Sequence, residues 1–148
     1  MRFKWYGTAT LLIESGDTRL LVDPYAKRYA RRAPVPMDEA RTADAIFVTH
    51  PHLDHFADVD AFSEGTRPVY VSATGISHAK KNGLDCGCMR LIAAGDEIGV
   101  GALTVRVYPA RHCSFDAATI LRILFSPRTW LHAADCISLL ATAAHYRI

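Results

Sequence analysis

Residues 47 to 56 read FVTHPHLDHF, three histidines and one aspartate packed directly behind a short apolar run. His50 and His52 are two positions apart, and in extended chain that spacing turns both imidazoles to one side, where they can share one metal ion. Asp54 and His55 come on the next turn of the loop and can face a second ion. Imidazole with carboxylate is a ligand set that suits zinc, and also manganese or iron. Three protein ligands leave a coordination position for water, whose pKa falls to about 7 on zinc. The bland alternative is three surface histidines that happen to be neighbours. Histidine is a rare residue, and the end of a buried strand is where α/β sheets place their sites. The cluster therefore reads as a site.

Outward from the cluster, Ala45 to Val48 reads as a buried strand. Upstream, residues 2 to 6, 10 to 14 and 18 to 22 read as three short strands, the last two joined by a hairpin turn at Ser15-Gly16-Asp17. Asp23-Pro24 ends the third, since proline donates nothing to a ladder. Residues 26 to 42 read as a long basic loop with one helical turn. Downstream, Asp58 to Phe62 starts a helix and residues 69 to 71 form a strand. Thr74 to Lys81 is a helix closed by Gly83, with His78 on its solvated side. Residues 103 to 108, LTVRVY, alternate as a strand behind a turn at Gly99-Val100-Gly101 and lead to His112. Two stretches, Ala117 to Phe125 and Thr129 to Ala144, are rich in alanine, leucine and isoleucine; in the second, Trp130, Ala133, Ile137 and Leu140 recur at the spacing of one helix face. Strands and helices alternate without a repeat, so the class is α/β or α+β.

The 148 residues suffice for one domain, 1–148. A net charge of +2 and the lack of a basic stripe or stacking aromatics speak against nucleic acid. The dense basic run Lys27 to Arg32 reads as a solvated loop or helix face, with a phosphate-bearing substrate beside it as the sharper alternative. No apolar run approaches the roughly 18 residues needed to span a membrane. The start, MRFKWYGTATLL, alternates like a strand rather than a secretory signal. Four cysteines without a CxxC unit fit reduced thiols in a cytoplasmic protein.

THPHLDH at 49 to 55 resembles the HxHxDH signature of the metallo-β-lactamase superfamily, a specific metal motif. WYGTATLLIESGDTRLLVDP resembles that superfamily's opening strands, including an aspartate after the third (Asp23). ALTVRVYPARH resembles the strand leading to its next histidine. The resemblance covers roughly residues 2 to 125 and points to the branch of bacterial zinc-dependent hydrolases that includes ascorbate-6-phosphate lactonase-like proteins. It implies that His50, His52 and His112 bind a first ion and that Asp54 and His55 serve a second. Asp54 also orients the attacking water, and Asp23 fixes a ligand imidazole from behind.

The fold implied is an αββα sandwich of two similar halves, of which this chain carries the N-terminal half plus a C-terminal helical segment. Asp135 and His145 only vaguely resemble the bridging carboxylate and last histidine of the second half, which leaves the second metal site incomplete. The sheet's other apolar face then lacks its partner, and a homo-oligomer is expected to cover it. The activity implied is hydrolysis of a small-molecule ester, lactone or phosphodiester through metal-bound hydroxide, with one or two zinc ions (manganese or iron as substitutes). The other reading is an inactive metal-binding remnant that persists by oligomerising.

Overall fold

The computed structural model describes residues 1–26, 37–84 and 87–110, together with Ala118, Leu121 and Phe125. The chain divides into two compact units, Met1–Arg28 with Ala33–Pro109, and Tyr29–Arg32 with Ala110–Ile148.

The first unit is built on a six-stranded sheet in simple sequential order, β1 (Arg2–Gly7), β2 (Thr10–Ser15), β3 (Thr18–Val22), β4 (Ala45–Phe47), β5 (Val69–Val71) and β6 (Met89–Leu91). The first three strands are antiparallel, because two-residue connections can only turn a strand back on itself. Gly16, at φ +57°, supplies the left-handed residue of the β2–β3 turn. From β3 onward all pairings are parallel, each reached by a longer crossover.

Period-two alternation divides the sheet's side chains between two faces. Leu12, Leu21, Ile46 and Val69 lie across from one another in register, and with Val71 they face the helical layer. That layer consists of α1 (Leu53–Phe56), α2 (Val59–Ser63) and α3 (Ala73–Lys81), which contribute Phe56, Val59, Phe62 and Ala79. Leu12, Leu21 and Ile46 are fully buried, each worth about 1.5–3 kcal/mol. Ser72 caps α3, its hydroxyl accepting from the Gly75 N–H.

The opposite face carries Ile13, Leu20, Val22, Ala45, Phe47 and Tyr70, with the Phe47 and Tyr70 rings stacked 4.6 Å apart. A hairpin of β7 (Glu97–Val100) and β8 (Leu103–Arg106) packs Ile98, Val100, Leu103 and Val105 against it. The hairpin tip is pinned to the sheet: the Ala102 N–H donates to the Thr18 hydroxyl at 3.0 Å. Gly101 beside it has φ +53°, and a Cβ there would lie 2.1 Å from that same hydroxyl.

This hairpin corrects two expectations. Gly99-Val100-Gly101 is not the turn, because Gly99 and Val100 pair with Thr104 and Leu103 and the reversal falls at Gly101 and Ala102. The second sheet face is also partly covered from within the unit, by Ile98, Val100, Leu103 and Val105. Phe3 and Trp5 on β1, which share that face through their partners Ile13 and Leu11, remain 60% and 70% exposed.

Two smaller differences arise from local packing. The helix expected from Asp58 is preceded by the separate turn of α1, and Asp58 is buried, with one carboxylate oxygen accepting the Ala26 N–H at 2.8 Å. His78 is half-buried rather than solvated, its ring edge-on to Phe56 at 5.2 Å. In the second unit, Ala118 and Leu121 are helical and the Phe125 N–H donates to the Leu121 carbonyl. The helix expected over 129 to 144 lies outside the described residues.

Candidate metal centre

The parallel strands β3 and β4 end side by side, and the centre is assembled from the residues just beyond their two C-terminal ends. The Asp23 N–H donates to the Phe47 carbonyl at 3.0 Å and so carries the ladder one residue past β3. Asp23 then turns into the left-handed region, φ +47°, which aspartate tolerates better than most residues. Thr10 holds this turn: its hydroxyl donates to the Asp23 carbonyl at 2.7 Å and accepts the Tyr25 N–H at 3.0 Å. The result is a carboxylate only 2% exposed, pointed at the segment that leaves β4.

That segment is Thr49 to His55. The Thr49 N–H donates to Asp23 Oδ1 at 2.8 Å, and the Thr49 hydroxyl donates to Asp23 Oδ2 at 2.8 Å. The chain passes buried Pro51, and the His52 carbonyl accepts the N–H groups of His55 and Phe56, which makes α1 a single helical turn. Asp54 and His55 therefore lie on a helical turn rather than on the loop turn expected. Phe56, 2% exposed, anchors the turn in the core.

The anchored turn brings three imidazoles together. The rings of His50 and His52 stand 4.5 Å apart and meet edge-on, as two ligands of one ion can; those of His50 and His55 stand 3.9 Å apart. His55 Nδ1 donates to Asp23 Oδ2 at 2.8 Å, which leaves its lone pair on Nε2. Asp54 Oδ2 lies 3.8 Å from that Nε2. Burial by itself depresses the His55 pKa; the hydrogen bond and charge of Asp23, aided by the Asp54 charge, outweigh it and hold the ring above the ordinary histidine range.

Among the described residues, no group of three or more His, Cys, Asp or Glu side chains is spaced to hold an ion as it stands. His112, the third ligand that the resemblance implies, lies outside the described residues, as do Asp135 and His145. The donors present nevertheless fit a divalent ion chemically. Two imidazoles at i and i+2 meet edge-on, a third stands against His50 with its orientation locked by a buried carboxylate, and a further carboxylate borders the third. Thr49, which touches Asp23, His50 and His55 at once, is the member that the sequence reading missed. A hydroxyl residue directly before the first histidine was its only signal.

A mixed sheet thus carries a histidine cluster beyond the end of a parallel strand, backed by an aspartate that follows the neighbouring strand. The chain belongs to the metallo-β-lactamase superfamily: the model of the family described as the beta-lactamase superfamily domain matches residues 18–143. A UPF0173 protein of Pyrococcus abyssi is 31% identical over 119 residues, which are 76% of this chain and 50% of that one. A UPF0173 metal-dependent hydrolase of Aeropyrum pernix is 28% identical over 90% of this chain and 61% of its own length. Among solved structures, Igni18, a metallo hydrolase from Ignicoccus hospitalis, superposes with a TM-score of 0.56 at 17% identity, covering 77% of this chain and 50% of that one. This likeness is one of fold. The chain spans about half the length of the Pyrococcus relative.

Proposed function

We propose that this chain is a metal-dependent hydrolase of small-molecule esters, lactones or phosphodiesters, with zinc as its metal in one or two copies and manganese or iron as substitutes. The observation that carries the reading is the gathering of His50, His52 and His55 at the end of β4, with His55 locked by buried Asp23. His50, His52 and His112 hold the first ion, and Asp54 with His55 serves a second. Once bound, such an ion polarises the scissile carbonyl or phosphoryl group and acidifies water. The chain's own part is orientation. Asp23 fixes the His55 ring, and Asp54 accepts a hydrogen bond from the attacking water and so aims it. The names of the UPF0173 relatives, several of them metal-dependent hydrolases, support the class.

A cytoplasmic, reducing setting suits Cys88, a free and buried thiol. No helix among the described residues is long and apolar enough to cross a membrane. We also propose a homo-oligomer, supported by the exposure of Phe3 and Trp5 on one sheet face; sedimentation of a pure monomer would remove it. The second functional reading, an inactive metal-binding module held folded by association, draws on that same exposed pair.

Turnover decides between the two. The purified protein, loaded with zinc, manganese or iron, is assayed against an activated ester, a lactone and an activated phosphodiester. Hydrolysis that chelation abolishes and the metal restores is the expected result. A protein that binds metal and turns over none of the three belongs to the second reading.

A further inference from the structure

We infer that Thr49 is a positioning residue of the metal centre, whose hydroxyl sets which nitrogen of His50 is presented to the ion. The inference rests on the reading of His50 as a ligand and adds a residue that itself touches no metal. It comes from counting protons.

The Thr49 hydroxyl owns one proton and lies 2.8 Å from Asp23 Oδ2, 3.0 Å from His50 Nδ1 and 3.3 Å from His55 Nδ1. Asp23 already accepts the Thr49 N–H on Oδ1 and the His55 Nδ1–H on Oδ2. A carboxylate only accepts, so the hydroxyl proton goes to Asp23, over the shortest of its three contacts. The oxygen's remaining lone pairs then face His50 Nδ1. A hydrogen bond across that 3.0 Å requires His50 to carry its proton on Nδ1 and its lone pair on Nε2. The buried carboxylate thus fixes His55 directly and His50 through the Thr49 hydroxyl. One acceptor orders two rings that come from different parts of the segment.

The side chain is suited to be tested alone. Thr49 is exposed, so removing its hydroxyl opens no core cavity, and its backbone bond to Asp23 survives any substitution except proline. Thr49→Val keeps the shape and removes the hydroxyl; Thr49→Ser keeps the hydroxyl and removes the methyl.

The first readout needs no metal. Long-range proton–nitrogen NMR of histidine-labelled, metal-free protein, recorded where the rings are neutral, reports the tautomer of His50. Wild type and Thr49→Ser are expected to show Nδ1–H, and Thr49→Val a shift toward Nε2–H, the form favoured by free histidine. The second readout is zinc affinity by competition with a chromophoric chelator. Thr49→Val is expected to bind about 10–100-fold more weakly, and Thr49→Ser to recover close to wild-type affinity. Nε2–H at His50 in the wild type, an unchanged tautomer and affinity in Thr49→Val, or a Thr49→Ser variant as weak as Thr49→Val would each overturn the assignment. A wild type that binds no zinc defeats the metal reading instead, and the NMR result still decides the proton arrangement.

Discussion

His55 Nδ1 lies 2.8 Å from Asp23 Oδ2 across 32 residues of sequence, and this bond ties the turn after β3 to the helical turn after β4. It makes the strand ends one unit. Asp23 is buried and backbone-strained at φ +47°, and it accepts hydrogen bonds from Thr49 twice and from His55 once. Strain of this kind persists where surrounding contacts over-determine it, and it concentrates at functional sites.

Removing that carboxylate should cost both stability and metal. Asp23→Ala strands the Thr49 N–H and the His55 Nδ1–H, at about 1–3 kcal/mol for each donor that water does not reach. A lowered melting temperature and a zinc affinity weaker by about 10–100-fold are expected. An Asp23→Ala protein that melts and binds zinc like the wild type would show that the bond organises nothing.

The same pair sets a pH dependence. With its folded pKa raised, protonated His55 contributes stability that is fully present below the unfolded value of about 6.5 and is lost as pH rises through the folded value. His78, pushed down by burial and then by Lys81, acts with the opposite sign, so the comparison is with His55→Gln. Urea unfolding of metal-free protein across about pH 6 to 9 should show the wild type losing its advantage over His55→Gln as pH rises. An advantage that grows with pH would refute the ion pair. Metal binds the neutral ring, so zinc affinity should fall as pH drops through the raised pKa.

Gly101 offers a test of the hairpin that covers the second sheet face. Gly101→Ala places a methyl 2.1 Å from the Thr18 hydroxyl at φ +53°. The clash and the left-handed backbone together should cost more than about 1 kcal/mol and loosen β7–β8 from Leu20 and Phe47. Hydrogen exchange at Ile98 and Val105, which face each other in the ladder, reports the loosening; unchanged protection there would mean that the tip does not hold the hairpin.

Asp54 separates chemistry from binding. Asp54→Asn should retain the first metal ion and lose most of the hydrolysis, because an amide orients water poorly for attack. If metal is lost in equal measure, Asp54 is an essential ligand instead.

Much of this arrangement was legible in the sequence, and the reason is periodicity. β1 to β3 announce themselves by alternation and a glycine turn, and β4 by the apolar run Ala45 to Val48 directly ahead of the histidines. The histidine spacing pointed to shared ligation, whereas Asp23 by itself read as a strand stop before proline and gained its role only through the family resemblance. β6 was not legible, because Met89-Arg90-Leu91 is three residues long with two of them exposed and carries no pattern. β7 was obscured by Gly99, whose missing side chain reads as a turn although its backbone sits in a ladder with Thr104. Thr49 escaped because threonine after a β-branched strand reads as more strand. Its role exists only once Asp23, distant in sequence, is folded against it.

Metal content of the purified chain tests the central claim most directly. Elemental analysis of the wild type beside the His50→Ala/His52→Ala double variant should find at least one zinc per chain in the first and none in the second. Stoichiometric zinc in the double variant, with both proteins folded, would place the metal elsewhere and contradict the account.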